Sequence, residues 1–358
     1  MRTVVAMSGG VDSSVAAYEL KKRGVDLIGV TIKTWPKEEC GSSGEKLCCS
    51  LDAIQYARSV AEDIGIPYYV VDLSKEFAGI VKEYFVSEYS RGRTPNPCIY
   101  CNSRLKFGSL LEKARQLGAG RIATGHYARV TEKGGRYYLR ESSDTYQDQS
   151  YFLYDVPRKV LPLIDLPLGE FTKEKVRGLA AEKNFMPAWR KSSQDICFTS
   201  EEGGYREYLA KAGAGVFLPG DILDATGRVI GKHKGIASYT VGQRRGIGLA
   251  MKEPVYVLKI DPENNTITVG AKAEAMNSRI RVAGFNWLAI DRLDGPKKFS
   301  AKIRYNSEKA EALVTPYGDD EAIVEFTAPQ FAPTPGQAAV FYEGDIVAGG
   351  AWIEEVLG

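Results

Sequence analysis

Histidine is scarce in this chain: two in 358 residues, His126 and His233. That leaves little scope for imidazole catalysis or for a metal centre built on histidine. Neither sign of charge dominates, with 47 Lys and Arg against 45 Asp and Glu and a net charge of +2. No global field therefore announces a polyanionic partner, although RNA needs only a local basic face. No run of 18 apolar residues occurs, so no membrane span is expected. No charged leader precedes an apolar signal core, and a cytoplasmic location is expected. Repeats and low-complexity segments are missing too. Six cysteines, Cys40, Cys48, Cys49, Cys98, Cys101 and Cys197, are few for a disulfide framework in a chain of this size. In a reducing compartment they read better as catalytic or metal-binding candidates. With 44% hydrophobic residues the chain is globular, and its length suffices for two or three domains.

The most informative stretch is Ser8-Gly9-Gly10-Val11-Asp12-Ser13-Ser14, directly behind the apolar run Thr3–Met7. The run reads as a buried strand and Ser13 onward as a helix. A glycine-rich turn between the two lets backbone N–H groups close on a phosphate, and the helix N-terminus favours its charge. The loop lacks the Lys of a Walker loop and the spacing of a dinucleotide fingerprint. It resembles the PP-loop of ATP pyrophosphatases, which cleave ATP to AMP and pyrophosphate and so activate an oxygen for displacement.

Up to about residue 130, strand and helix alternate as in a parallel sheet. The expected strands are Thr3–Met7, Leu27–Ile32, Tyr68–Leu73 and Arg121–Thr124. One helix carries Ile54, Ala57, Ala61 and Ile64 on a face. Another carries Phe107, Leu110, Leu111, Ala114 and Leu117, with Gly118 as its C-cap. Gly125-His126 falls at the carboxyl edge, where open α/β sheets bind ligands. A helical extension follows, with Thr172 as N-cap for Lys173–Asn184. From about Val216 short β runs and turns replace helical periods, and Phe299–Tyr305, Glu311–Val314, Ala322–Phe326 and Ala338–Tyr342 are strand candidates. The expected architecture is α/β: a parallel-sheet PP-loop domain of the adenine nucleotide alpha-hydrolase type with a helical extension (1–200), a small β-rich central domain (205–275) and a C-terminal β-barrel (278–358).

In Thr94-Pro95-Asn96-Pro97-Cys98-Ile99-Tyr100-Cys101-Asn102 two prolines stiffen a loop, and Cys101 is expected just before a helix, where a thiol pKa is lowered. A third stretch, Ser192-Ser193-Gln194-Asp195-Ile196-Cys197-Phe198, brings a distant cysteine that could return to the PP-loop edge. An adenylating loop with a pair of thiols suggests sulfur transfer: adenylate a carbonyl, then displace AMP with a persulfide. Cys40, Cys48 and Cys49 lie in a polar, Gly-rich segment and read as structural or incidental thiols. Between Arg228 and Arg245 there are five Lys or Arg and no acid, which reads as an RNA-facing loop. The four tryptophans, Trp35, Trp189, Trp287 and Trp352, read as core or interface residues.

Over essentially its whole length the chain resembles bacterial tRNA-specific 2-thiouridylases. The matching stretches are Met7–Ser14, Gly92–Pro97, Ala123–Tyr127, Asp148–Leu153, Asp195–Phe198, Thr240–Arg244 and Gly336–Phe341. The resemblance implies replacement of O2 of the wobble uridine by sulfur in tRNAs for lysine, glutamate and glutamine, with ATP and Mg²⁺. It implies that Cys101 is the nucleophile and Cys197 the persulfide carrier. ATP contacts would fall on Ala6, Met7, Ser8, Gly9, Gly10, Val11, Asp12, Ser13, Ile32 and Gly125. The target base would meet Asn96, Pro97 and Cys98. Further tRNA contacts would fall on His126, Gln147, Asp148, Gln149, Arg304, Tyr305 and Gln337. The sulfur would come from a persulfide or sulfide donor such as a cysteine desulfurase relay.

Two departures stand out. Many family members carry Asp where this chain has Cys98, and that Asp is a proposed acid/base group. Met is common where Ile32 stands, and an aliphatic contact to adenine survives. With Cys98, Cys101 and Cys197 the chain has three thiolates, the number that some sulfur-transfer PP-loop enzymes use to hold a four-iron four-sulfur cluster. Spacing alone leaves persulfide and cluster chemistry both open. Two other functions compete: a PP-loop ligase that uses ammonia, and an RNA-binding protein with a dead nucleotide site.

Overall fold

The computed structural model describes residues 1–35, 51–185, 196–199, 204–213 and 217–358. Cys40, Cys48, Cys49, Trp189, Val216 and the Ser192–Asp195 part of the third stretch lie outside the described residues. The chain divides into two compact units. One is residues 1–82, 98–201 and 345–347; the other is 83–97, 202–344 and 348–358.

The first unit holds a parallel sheet of five strands: β1 (Thr3–Ala6), β2 (Leu27–Lys33), β3 (Tyr68–Asp72), β4 (Arg121–Ala123) and, after the hairpin β5 (Arg129–Lys133) and β6 (Arg136–Arg140), β7 (Ile164–Asp165). The strand order is β3-β2-β1-β4-β7. β1 is central because its side chains are apolar on both faces; Val4 and Val5 are fully buried. Val4 pairs with Ile28 on one side and Ile122 on the other. The strand order reverses between β1 and β4, and such a switch point opens a crevice at the strands' carboxyl ends. The helices α1 (Val11–Lys22) and α2 (Leu51–Asp63) pack on this sheet through Val15, Ala16, Leu20, Ala57, Val60 and Ala61. α1 begins at Val11, two residues earlier than the sequence suggests, with Gly10 at the N-cap in an extended conformation.

Beyond β3 come the short helix α3 (Ser74–Phe77), a π-helical turn (Ala78–Lys82) and α4 (Glu83–Ser90), the last in the second unit. The proline loop leads into α5 (Pro97–Tyr100), a π-helical stretch (Cys101–Ser109) and α6 (Leu110–Gln116). Gly118 follows with φ +74°, as a C-terminal cap requires. The expected N-cap of α7 (Lys173–Glu182) is present: Thr172 Oγ1 accepts from the Lys175 N–H at 3.2 Å.

In the second unit α8 (Tyr205–Lys211) precedes two β structures. A four-stranded sheet contains β8 (Gly220–Leu223), β9 (Val229–His233), β10 (Tyr256–Asp261) and β11 (Thr266–Gly270), ordered β10-β11-β8-β9 around Ile222, Val257 and Ile267. Six further strands follow: β12 (Met276–Trp287), β13 (Lys297–Lys302), β14 (Ala310–Pro316), β15 (Glu321–Phe331), β16 (Ala338–Glu343) and β17 (Ile346–Val356). β12 pairs with β15 on one edge and β17 on the other, and this closes an antiparallel barrel. Closure removes the sheet edges that an open structure would expose. The expected α/β class and the C-terminal barrel are both borne out.

Candidate active site

The loop Ser8–Gly10 leaves β1 at the switch point. It is braced from within: Ser13 Oγ accepts from the Ser8 N–H at 3.1 Å and donates to Gly10 O at 2.9 Å, and Ser14 Oγ donates to the same carbonyl at 3.1 Å. Gly9 has φ +71°, and a Cβ there would lie 2.3 Å from Ala53 O of α2. Gly125, just past β4, lies so close to the loop that a Cβ would sit 2.8 Å from Asp12 C and Ser13 N. Both glycines are thus fixed by close approach of backbone. Ala6, Met7, Val11 and Ile32 complete the expected nucleotide set, with Met7 buried and Ile32 half-buried at the end of β2.

Asp12, in the first turn of α1, meets two groups from elsewhere. Lys173 Nζ donates to its two carboxylate oxygens at 2.6 and 2.7 Å, and Tyr127 Oη donates to Oδ1 at 2.8 Å. Sequence reading missed both partners, since nothing in the pattern links positions 12, 127 and 173.

The cysteine helix lies against the same edge. Its residue Phe107 packs on His126, ring centroids 6.3 Å apart. Lys106 Nζ donates to Asn102 Oδ1 at 2.9 Å, and Asn102 Nδ2 donates to Phe152 O at 3.2 Å. The expectation that Cys101 sits just before a helix is corrected. Helical structure starts at Pro97, whose fixed φ and missing N–H suit a first helical position. Exposed Cys98 therefore occupies the first turn, and half-buried Cys101 starts the π-helical stretch one turn further in. π-helical insertions concentrate at functional sites because they re-aim side chains. Cys197, half-buried, is next to Phe198, whose ring packs edge-on against Phe77 at 5.7 Å. Phe77 belongs to α3, which also packs on the π-helical stretch. Phe198, the neighbour of Cys197, and the π-helical stretch that begins at Cys101 thus both pack on α3.

Among the described residues no three His, Cys, Asp or Glu side chains converge to hold a metal ion. Cys98, Cys101 and Cys197 are all among these described residues, and no such group is formed by them in this arrangement.

His126 is half-buried, and its Nδ1 is hydrogen-bonded to Thr124 Oγ1 at 2.7 Å. Burial, then the charge of Lys106, holds its pKa well below the ordinary 6.5. The imidazole is therefore expected to stay neutral at pH 6.5, where an exposed histidine is half protonated. A titration of its Cε1–H resonance by NMR checks this. A lowered pKa means that the unfolded chain takes the proton first, so the group's contribution to stability falls as pH drops below about 6.5. Replacing His126 by Gln should remove that part of the acid sensitivity.

The other expected tRNA contacts divide by exposure. Asp148 is buried and braces its own loop, accepting from the Ser142 N–H at 2.9 Å and from Ser150 Oγ at 2.7 Å. Gln149 Oε1 accepts from the Tyr127 N–H at 3.0 Å. The same loop presents half-buried Gln147 and Tyr146, the latter 93% exposed. An exposed ring on a pinned loop is a platform on which a base can stack, and sequence reading passed over it. In the second unit, Gln337 Nε2 donates to Thr94 O at 2.7 Å and the Thr94 N–H donates to Pro335 O at 2.9 Å, which pins the loop carrying Asn96 and Pro97. Arg304 Nη2 donates to Val241 O, Ala332 O and Thr334 Oγ1, with half-buried Tyr305 beside it. Of the five basic residues between 228 and 245, Arg228 and Lys232 are ion-paired to Asp224 and Asp221, whereas Lys234, Arg244 and Arg245 are exposed.

The family model described as a tRNA methyl transferase HUP domain matches residues 1–201. A tRNA methyl transferase PRC-barrel domain matches 206–271, and an aminomethyltransferase beta-barrel domain matches 277–353. A tRNA-specific 2-thiouridylase of Thermoanaerobacter sp. (strain X514) is 46% identical over 99% of this chain and 98% of its own length. The chain belongs to the tRNA-specific 2-thiouridylase family. Further 2-thiouridylases are similar over the same span. One from Caldanaerobacter subterraneus subsp. tengcongensis is 46% identical over 99% of this chain and 98% of that protein; one from Clostridium perfringens is 44% identical over 99% of each. The loop behind β1 is of the nucleotide-binding PP-loop type. No helix among the described residues is long and apolar enough to cross a membrane.

Proposed function

We propose that this protein is an ATP-dependent tRNA 2-thiouridylase that replaces O2 of the wobble uridine with sulfur in tRNAs for lysine, glutamate and glutamine. The observation that carries this reading is the meeting of three parts at one sheet edge. The PP-loop abuts Gly125, the Cys101 helix packs on His126, and Cys197 returns through Phe198 to the support of that helix.

The chemistry follows from those parts. The loop holds the ATP phosphates with its backbone N–H groups and the α1 N-terminus. The uracil O2 attacks the α-phosphorus, an O–P bond forms and pyrophosphate leaves, so that O2 becomes part of a good leaving group. The terminal sulfur of a Cys197 persulfide attacks C2, and AMP departs with the C–O bond. The Cys101 thiolate attacks the Cys197 sulfur, which breaks the S–S bond and leaves sulfur on C2. Cys101 and Cys197 end as a disulfide, which a thiol reductant must reduce before the next turnover. Such cycling suits a reducing cytoplasm and a persulfide donor of the cysteine desulfurase type. Asp12 offers the hard oxygen donors that Mg²⁺ prefers, and the ion would neutralise phosphate charge there.

The test supplies the protein with ATP, one of these tRNAs and a persulfide-charged donor. Pyrophosphate and 2-thiouridine should form together, and a transcript with cytidine at the wobble position should give neither. ATP cleavage that needs ammonia and no tRNA would replace this reading with the ligase one. A second measurement locates the RNA face. Neutralising Arg244 and Arg245 together should weaken tRNA binding and flatten the slope of log K against log salt by roughly 1 to 2. An unchanged slope would put the phosphate contacts elsewhere.

A further inference from the structure

All three guanidinium nitrogens of Arg93 are engaged within the fold. Nε donates to Glu88 Oε2 at 2.7 Å and Nη1 to Glu354 Oε2 at 2.5 Å. Nη2 donates to Glu354 Oε1 at 2.8 Å and to Ile353 O at 3.4 Å. Glu88 lies near the end of α4 and Glu354 in β17, so one side chain ties the loop after α4 to a strand of the barrel. That loop runs through Asn96 to Pro97, and Cys98 and Cys101 follow directly in the sequence. We propose that Arg93 is a positioning residue for thiolation, which fastens residues 92–97 to β17 and so holds the Asn96-Pro97 segment in place for the uracil. The proposal rests on the tRNA reading above and adds a residue that acts without touching RNA or nucleotide.

Three observations support it. The first is the backbone. Gly92 has φ +68°, its N–H donates to Tyr89 O, and the Arg93 N–H donates to Glu88 O, both at 3.0 Å. These are the paired bonds of a Schellman cap, so local geometry fixes where the chain leaves α4 and where Arg93 stands. The second is that the fastening continues past Arg93. Thr94 is bonded to Pro335 and Gln337 of the turn between β15 and β16, and the Gly336 N–H of that turn donates to Ile353 O at 2.9 Å. A Cβ on Gly336 would lie 3.1 Å from Arg93 Cβ and from Thr94 N, so turn and loop are in close contact. Loop, turn and β17 thus share one network. The third is the nature of the ion pairs. The Arg93, Glu88 and Glu354 side chains keep 18%, 9% and 30% of their surface open. Charges so withdrawn from water lose hydration that offsets much of their attraction, and the best-attested use of such pairs is to fix register. The bidentate grip on Glu354 sets direction as well as distance. Hydrogen bonds from Arg93 hold the Glu354 carboxyl below its ordinary pKa against the effect of burial, which keeps the pair ionised.

The wild type, Arg93→Met, Arg93→Lys and Glu354→Gln are compared in thiolation with ATP, a tRNA for lysine and a persulfide-charged donor. The same tRNA with 5-fluorouridine at the wobble position is then bound to each protein, and its fluorine resonance reports the surroundings of the base. Thermal melting checks that each protein is folded at the assay temperature. Arg93→Met should lower kcat by about 10- to 100-fold, the order of loss when a reacting group is misplaced by about 1 Å. KM for tRNA should stay within about 2-fold, because a positioning residue contributes no binding contact. The fluorine resonance, displaced by the wild type, should move back toward its free position. Arg93→Lys keeps the charge without the fork and should recover only part of the rate. Glu354→Gln leaves the Glu88 pair and should show the same pattern with a smaller loss. A raised KM at unchanged kcat would make Arg93 an RNA contact and overturn the proposal. A lowered melting temperature with unchanged kcat and fluorine resonance would make the network a support for stability alone, and would overturn it too. If Arg93→Met does not fold, Glu354→Gln decides: a lower kcat at unchanged KM with an altered resonance supports the proposal, and wild-type kcat refutes it. An Arg93→Met protein that matches an active wild type sinks the proposal and leaves the tRNA reading standing. A wild type that neither thiolates the tRNA nor displaces its resonance removes the tRNA reading, and the proposal with it.

Discussion

Cys101→Ser and Cys197→Ser should each reduce tRNA thiolation by on the order of 10³-fold or more, because in the mechanism proposed above both sulfurs take part in one sequence of bond changes and neither has a substitute. The effects should not add. The double variant should be about as inactive as either single one, as for groups that act as a unit. ATP binding should survive in all three, since the proposed phosphate site is Ser8 to Ser13 and does not include the thiols. The two variants should differ in one readout. With a persulfide donor, Cys101→Ser should still accept sulfur on Cys197, visible as a mass gain of one sulfur, whereas Cys197→Ser should not. A Cys197→Ser protein that still thiolates tRNA would remove the persulfide route.

Cys98 provides the companion test. It is exposed and lies in the first turn of α5, at the position where the resemblance to 2-thiouridylases leads one to expect Asp. No ligand triad forms around it among the described residues. On the proposed persulfide route Cys98→Asp should keep activity or raise it, since a carboxylate there would be an acid/base group beside the segment proposed to meet the target base. A protein that holds iron when prepared without oxygen, and loses both iron and activity on Cys98→Asp, would reverse this conclusion.

Much of the site was legible because short-range chemistry wrote it. The loop behind β1, the Thr172 cap and Gly118 all follow from residue types at fixed offsets, and these are local rules. The cysteine helix was harder. Pro97 was read as a stiffener, yet its ring also starts the helix, and that moved Cys101 one turn inward. The π-helical stretch, with Leu105 and Phe107 buried in it, has no sequence pattern of its own. The Asp12–Tyr127–Lys173 cluster was invisible for a different reason. It joins three elements that meet only when the sheet order reverses between β1 and β4. Likewise Asp148, Gln149 and Arg304, expected as tRNA contacts from the resemblance, also hold hydrogen bonds within the fold. A buried hydrogen-bonding partner has no signature in a single sequence.

Gly9→Ala should be the most damaging single methyl in the nucleotide loop. Two costs combine. Gly9 has φ +71°, a region that costs a residue with a Cβ about 1 to 2 kcal/mol. The new methyl would also lie 2.3 Å from Ala53 O and 2.7 Å from Ala53 Cα, both backbone atoms of α2. Backbone cannot rotate away as a side chain does, so α2 or the loop must shift, at a typical overpacking cost of about 1 to 3 kcal/mol. A total loss of about 2 to 5 kcal/mol is expected in the unfolding free energy from denaturant titration, with nucleotide binding falling at the same time because the displaced loop no longer aims its N–H groups. Gly24→Ala separates the two costs. Gly24 has φ +78° with nothing within 4 Å of the added Cβ, so it should lose only the conformational part, about 1 to 2 kcal/mol, and keep nucleotide affinity. Equal destabilisation in the two variants would mean that the approach of α2 to the loop contributes nothing. Preserved nucleotide binding in Gly9→Ala would mean that the loop's closure on phosphate does not depend on that approach.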